Sequence, residues 1–140
     1  MSSVAWVRGL VCEDVVYDGE TQEWVFRFGR GVALRVAAPW RIIGTGHIAL
    51  GHEDHGQKFG LARPVDGVTT AMDLLRGRPV NDFSIAAISA DATIDFRDGY
   101  LLQIFNSSSG YEGWKLSDVA GRLIVAQGGG RSVEFPAPAP

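Results

Sequence analysis

Three histidines are the residues of this chain whose type and spacing come nearest to a metal site. His47, His52 and His55 fall within nine residues, with Glu53 and Asp54 among them. Imidazoles and carboxylates of one loop can converge on zinc or another divalent metal. Their spacing matches no established zinc signature, and the helical metalloprotease motif is absent. The sequence therefore leaves two interpretations open, a divalent metal site and a solvated polar loop.

A second group of candidate residues follows a serine cluster at residues 107–109. The cluster lacks the Gly-x-Ser-x-Gly pattern of a nucleophile elbow, so we expect it to shape a turn. Next, Tyr111 and Trp114 flank the carboxylate of Glu112. If the two aromatic residues are exposed, they would anchor a partner protein. If they are buried, they would cover the core. The predicted protein- or ligand-binding residues are Ser108, Tyr111, Glu112, Trp114 and Trp40.

Composition narrows the class of protein. The 140 residues are 46% hydrophobic and carry a net charge of −3, which argues against a nucleic-acid partner. No apolar run is long enough to span a membrane, and the N-terminus does not resemble a signal peptide. Cys12 is the only cysteine, so no internal disulfide forms, and we expect a buried inert thiol. These features predict a cytoplasmic bacterial protein with no cofactor, unless the histidines bind a metal.

Two β-hairpins are expected to form the scaffold for these residues. Residues 24–36 and 92–104 both alternate apolar and polar side chains around a short glycine-containing turn, at an offset of 68 residues. A three-residue loop pairs Phe28 with Val32 and keeps one face uniformly apolar, with Gly31 in the left-handed region. The corresponding glycine of the second hairpin is Gly99. The match is consistent with either internal duplication or the convergent pattern of hairpins.

The remaining chain predicts an α+β domain made mostly of antiparallel strands. Residues 10–17, 41–50, 80–89, 111–117 and 122–127 resemble strands, and Pro64 and Asp66 open one helix that ends near Gly77. We expect two β-meanders joined by this helix, as an open sheet or a partly closed barrel. The predicted boundaries are a single β-rich domain over 1–134 and a mobile Pro/Ala tail over 135–140.

Three segments carry a resemblance to known sequences: residues 74–80 (LLRGRPV), 94–99 (IDFRDG) and 110–116 (GYEGWKL). On these the second half resembles a family of small bacterial domains of unknown function. The same layout, an Asp-Gly hairpin followed by Tyr-Glu-x-Trp, is similar to β-rich immunity proteins that neutralise bacterial toxins. The resemblance supplies no catalytic residues and implies a non-enzymatic cytoplasmic module.

Three functional hypotheses follow from the sequence. The first is a non-enzymatic protein-binding module, with a toxin-neutralising immunity protein as its specific form. The second is a metal-binding protein or metal-dependent enzyme that uses the three histidines. The third is a β-barrel that binds a small ligand between loops 51–63 and 106–113. Because a sheet with many strands must protect its edges, a homodimer formed by edge pairing is a further hypothesis.

Overall fold

The computed structural model describes residues 2–139 and contains two six-stranded antiparallel sheets and one α-helix. The first sheet has the strand order β1-β7-β8-β9-β5-β6 and the second has the order β12-β11-β10-β4-β3-β2. The helix, α1, spans Gly67–Leu75. The strands are β1 (Ser2–Ser3), β2 (Cys12–Asp18), β3 (Glu23–Phe28), β4 (Ala33–Val36), β5 (Trp40–Gly44), β6 (His47–Gly51), β7 (Val80–Ile85), β8 (Ala92–Phe96), β9 (Leu101–Ile104), β10 (Trp114–Ser117), β11 (Leu123–Ala126) and β12 (Ser132–Phe135).

The two hairpins have the register that the sequence predicts. In the first, Phe26 lies opposite Leu34, and the N–H of Phe28 donates to the carbonyl of Val32 at 2.8 Å. Its loop has two left-handed residues rather than one, because Arg30 (φ 61°) adopts that region together with Gly31 (φ 69°). The second hairpin repeats this geometry, with left-handed residues at 98 and 99. The apolar faces of both hairpins therefore point to one core.

Each meander is completed by strands from the other half of the chain. The meander β2-β3-β4 continues through β10, β11 and β12, whereas the meander β7-β8-β9 continues through β5 and β6. The prediction of an α+β domain with mostly antiparallel strands and two meanders is confirmed. The sheets are not closed into a barrel. Instead, they pack against each other, and the rings of Phe28 and Phe96 stack between them at 6.4 Å.

The two halves, residues 2–66 and 67–135, share backbone details at the offset of 68 residues. The N–H of Gly29 donates to the carbonyl of Val11 at 3.3 Å. The N–H at position 97 donates in the same way to the carbonyl at position 79, at 3.1 Å. Gln22 in the β2–β3 loop and Ala90 in the β7–β8 loop are both left-handed, with φ of 58° and 59°. Such agreement in special conformations favours duplication over the convergence of two ordinary hairpins.

Helix α1 begins and ends as the sequence predicts. The Asp66 side chain accepts a hydrogen bond from the Thr69 N–H at 3.1 Å, which caps the helix and lowers the pKa of this carboxyl. Beyond the C-terminal end, Gly77 has a φ of 69°, in the left-handed region. Ala71 and Leu75 are buried on the side of the helix that packs against β2. The helix thereby covers an edge of the second sheet.

Some strand boundaries differ from the prediction. Residues 41–50 form two strands, β5 and β6, because the backbone reverses at Thr45 and Gly46, both left-handed. At Gly44 a β-carbon would lie 2.8 Å from the ring of Tyr100, which explains the glycine there. The sequence also did not predict β1 or β12. No helix within residues 2–139 has the length and apolar character needed to cross a membrane.

The segment after β12 approaches the fold at Gly121. Strand β12 ends at Phe135, and the ring of Pro138 lies close enough to Gly121 that a β-carbon there would come within 2.7 Å of it. Residues 136–139 have no regular structure and are exposed. Met1 and Pro140, the outer ends of the two predicted segments, lie outside the described residues.

A turn between β10 and β11 makes stability depend on pH. The Asp118 carboxylate, 5% exposed, accepts hydrogen bonds from the N–H and Nε of Arg122 at 2.9 and 2.6 Å. Burial alone would raise the pKa of Asp118, but the hydrogen bonds and charge of Arg122 outweigh this effect and lower it. The carboxylate therefore stabilises the fold above its unfolded-state pKa, and this stabilisation is lost as pH falls through the lowered folded-state value.

We expect Asp118→Asn to reduce the free energy of unfolding by about 2 kcal/mol at pH 7. The difference from the natural protein should shrink as pH falls below about 4, because the carboxyl is protonated first in the unfolded state and, at still lower pH, in the folded state as well. Urea denaturation of both proteins between pH 7 and pH 3 measures this difference in unfolding free energy. Asp73→Asn is the control, because the Asp73–Arg76 pair is exposed and should contribute less than about 0.5 kcal/mol. A difference that stays constant with pH would contradict the role of the ionised Asp118.

Candidate functional site

The two tryptophans of the predicted binding group lie in the core. Trp114 is buried, and its Nε1 donates to the carbonyl of Ala90 at 2.8 Å. Trp40 is also buried, with its ring 4.9 Å from that of Trp24. The two occupy matching places, since Trp40 begins β5 and Trp114 begins β10. Both indoles therefore pack the two-sheet core, and neither is available to touch a partner.

The surface residues of this segment are Tyr111 and its neighbours. Tyr111 is 83% exposed, which makes it one of the most exposed large hydrophobic side chains in the described residues. The Oγ of Ser108 accepts hydrogen bonds from the N–H groups of Gly110 and Tyr111 at 3.1 and 2.8 Å, so this serine shapes the turn. Glu112 is partly exposed and forms an ion pair with Lys115 at 3.3 Å. The segment thus presents one aromatic ring and one carboxylate.

Each of the three histidines forms its own hydrogen bond. His47 lies at the β5–β6 turn, where its Nδ1 is 3.4 Å from the hydroxyl of Thr45. The Nδ1 of His52 accepts from the backbone N–H of Trp40 at 3.4 Å, and the Nδ1 of His55 accepts from the N–H of Gly67 at 2.9 Å. Among residues 2–139, no three His, Cys, Asp or Glu side chains are arranged to hold a metal ion. His52 and His55 instead position the backbone around a cleft.

This cleft joins the two groups of sequence-predicted residues. It consists of two adjoining depressions of about 550 and about 730 Å³. His52, Glu53 and His55 line the first, and Ser108, Tyr111 and Glu112 line the second. The residues common to both depressions are Thr21, Gln22, Ala37, Ala38 and Pro39. The histidine loop and the serine loop, more than fifty residues apart in sequence, therefore border one continuous surface.

Three aromatic rings support the first depression. Tyr17 lies 4.6 Å from Trp24 and 5.2 Å from the imidazole of His55, measured between ring centroids. Trp24 is buried and contacts His55 at 5.6 Å, whereas Tyr17 is partly exposed. Sequence reasoning assigned Trp24 only to the scaffold and gave Tyr17 no role at the site. The signal that could have found Tyr17 is an aromatic residue directly before the Asp18-Gly19 turn, since loops after strands often line sites.

The charge of the cleft is acidic. Glu53 and Glu112 line it and neither depression is lined by lysine or arginine, although Glu112 is paired with Lys115, which lies outside the lining. Glu53 is largely exposed; apart from the His52 imidazole, at 3.5 Å, it has no ion-pair partner among the described residues. Hydroxyl and amide side chains complete the lining, among them Thr21, Gln22 and Gln57. A ligand with N–H donors or positive charge would suit these walls.

The cysteine lies away from this surface and is chemically quiet. Cys12 is buried in β2, and its burial raises the pKa of the thiol to about 12. Since the thiolate is the nucleophilic form, this thiol is protonated and inert at neutral pH.

Fold and site together define the class: an antiparallel two-sheet α+β domain with an acidic cleft at the ends of its strands. No protein-family model, curated protein or solved structure matches the chain.

Proposed function

We propose that this chain is a non-enzymatic protein-binding module and that its partner docks at the cleft. The carrying observation is the continuous surface from the 52–57 loop to the 107–113 segment, with Tyr111 83% exposed at its border. Tyrosine is enriched among the residues that dominate binding energy, because it combines a large apolar ring with a hydroxyl. Hydroxyl and amide groups around it supply the polar rim typical of such interfaces.

The specific role we propose is that of a toxin-neutralising immunity protein. Support comes from the likeness of residues 94–99 and 110–116 to β-rich immunity proteins and from the acidic lining of the cleft. An inhibitor of this kind needs only an interface of ordinary size with a few strong anchors. An acidic binding surface also favours rapid association with a basic partner.

A second function is favoured by the size of the cleft. A volume of about 550 Å³ lies within the range of small-molecule sites, and the cleft lies between the two loops expected to border a ligand site. In this case the module binds a small polar ligand, and no stoichiometric protein partner exists.

We expect Tyr111→Ala to weaken binding of the partner by at least about tenfold, because an exposed aromatic anchor would be lost. The partner would be captured from the native host with the tagged protein, identified by mass spectrometry, and its affinity measured by calorimetry. Val119→Ala is the control, since Val119 is equally exposed but contacts Gly31 at the opposite ends of the strands. Failure to recover any stoichiometric partner would contradict the proposal, as would equal losses for the two variants.

A further inference from the structure

In the second half of the chain, the side chain of Asn106 connects the two loops that contain Ser89 and Gln127. Its Nδ2 donates to the carbonyl oxygens of Ser89 and Gln127 at 2.9 and 3.0 Å. The side chain belongs to a residue only 9% exposed, and its backbone N–H donates to Asp91 Oδ1 at 2.8 Å. Ser89 lies in the β7–β8 loop of one sheet, and Gln127 follows β11 of the other. One planar carboxamide therefore bridges the ends of the two sheets.

The first half has an alanine at the position of this bridging residue. At the offset of 68 residues, Asn106 corresponds to Ala38 and Ser89 corresponds to Thr21. The correspondence of the two loops is supported by their shared left-handed residue, described above, one position after Thr21 and Ser89. Because the alanine side chain has no N–H donor, the first half cannot form the bridge by itself.

The second bridged position also has a counterpart in the first half. Glu53 comes directly after His52, whose N–H donates to the carbonyl of Trp40 at the start of β5. Gln127 comes directly after Ala126, which pairs with Trp114 at the start of β10. Glu53 therefore corresponds to Gln127. Each bridged loop of the second half thus has an equivalent in the first.

All three corresponding residues, Thr21, Ala38 and Glu53, line the first depression of the cleft, of about 550 Å³. In the second half the loops meet instead, so closely that a β-carbon on Gly130 would lie 2.1 Å from the carbonyl oxygen of Ile88. The cleft therefore lies where the first half lacks the amide bridge that connects the loops of the second half. A ligand group with N–H donors directed at both loops would supply the missing bridge.

The charge of the walls indicates which donor is preferred. The lining of the first depression includes the carboxylate of Glu53 and no lysine or arginine, so a cation is favoured over a neutral amide. A guanidinium is planar like a carboxamide, carries five N–H donors, and stacks on rings such as that of Tyr17. A lysine ammonium supplies charge without the planar shape.

We propose that the cleft binds the guanidinium group of an arginine side chain on the partner protein, in the place that corresponds to the Asn106 carboxamide. Its N–H groups bond to the loops that contain Thr21 and Glu53, and its charge is balanced by Glu53. This inference rests on the proposed function, because it names the group by which the partner is recognised.

The test is a titration of the isotopically labelled protein with N-acetyl-arginine amide, followed through backbone amide NMR shifts. We expect shifts confined to residues 21–22, 37–38 and 52–57, with a dissociation constant on the order of millimolar for so small a probe. The N-acetyl amide of citrulline, neutral and of the same shape, should bind about tenfold more weakly, as should that of lysine. Equal binding of the citrulline probe, or no shift at these residues, would overturn the guanidinium site.

Three variants test the location of the site. Ala38→Asn supplies the missing carboxamide from within and should weaken arginine binding about tenfold, whereas Ala38→Ser, too short to bridge, should leave it unchanged. Glu53→Gln lies at an exposed position and should reduce arginine binding to the citrulline level even if Ala38→Asn does not fold. Unchanged binding in Glu53→Gln would overturn the proposal.

The two proposals fail separately. A recovered partner whose binding is lost in Tyr111→Ala but unaffected by Ala38→Asn and by added arginine amide would overturn the guanidinium site and leave the proposed function standing. Failure to recover any partner would contradict the proposed function, whatever the arginine titration shows.

Discussion

Gly130→Ala is expected to lower the free energy of unfolding by at least about 3 kcal/mol, against about 1 kcal/mol for Gly129→Ala. Both glycines are left-handed, with φ of 102° and 89°, so both variants carry backbone strain. Only at Gly130 would the new β-carbon lie 2.1 Å from the Ile88 carbonyl oxygen, a backbone atom that cannot move aside on its own. At Gly129 the nearest atom lies 3.9 Å away. The excess for Gly130 therefore measures the close approach of the two loops.

Urea denaturation of both variants, with the linear extrapolation to water, measures this difference. Similar losses of about 1 kcal/mol for both would mean that the loops at 86–91 and 127–131 do not meet as described. That result would also weaken the contrast between the closed gap of the second half and the open cleft of the first. Gly46→Ala provides a further reference for strain alone, since Gly46 has a φ of 82° and no neighbour within 4 Å.

The sequence predicts the local structure of this chain well because local geometry depends on short patterns. Alternation of apolar residues and the position of Gly31 determine the loop length and register of the first hairpin, and the structure has that register. Asp66 and Gly77 mark the ends of α1 in the same way, through a cap and a left-handed glycine. Each of these features depends on residues within a few positions of one another.

The exchange of strands between the two meanders could not be predicted by the same reasoning. Alternation indicates which face of a strand is buried, but not which strand lies beside it. Trp114 pairs with Val36 and Trp40 pairs with Ile104, so each strand after a meander joins the other sheet. These pairings depend on contacts distant in sequence, and a single chain carries no local signal for them.

The candidate site shows the same division. Tyr111 and Glu112 stand out in sequence because an aromatic residue and a carboxylate follow a serine turn, and the structure places them beside the cleft. The cleft itself forms where the β2–β3 loop, the β4–β5 connection and the loop after β6 meet. Ala38, which lines it, has no functional group that would mark a binding site in the sequence. The corresponding Asn106, whose carboxamide bridges two loops in the second half, shows which group the alanine lacks.

Trp114→Phe is expected to reduce the free energy of unfolding by about 3 kcal/mol, and Trp40→Phe by about 1 to 2 kcal/mol. The two indoles begin corresponding strands and are both buried, so the loss of volume is the same in the two variants. Their hydrogen bonds differ. Trp114 Nε1 donates to the carbonyl of Ala90, and phenylalanine would leave that carbonyl without its donor. The Nε1 of Trp40 has no acceptor among the described residues, so its removal costs no hydrogen bond.

The difference between the variants, measured by urea denaturation, isolates one buried hydrogen bond, because the volume lost is matched within the same fold. Equal losses would show that the Trp40 Nε1 finds an acceptor after all. The Gln22 carbonyl is the one that the offset of 68 residues identifies, since Gln22 corresponds to Ala90. Gln22 lines the cleft, so an acceptor there would pull the β2–β3 loop inward, as in the second half, and narrow the space proposed for the guanidinium. A clearly larger loss of unfolding free energy for Trp114→Phe than for Trp40→Phe instead supports two halves with the same architecture. In the second half the loops are bridged by side chains of the chain itself, and in the first half they leave the cleft open to a partner.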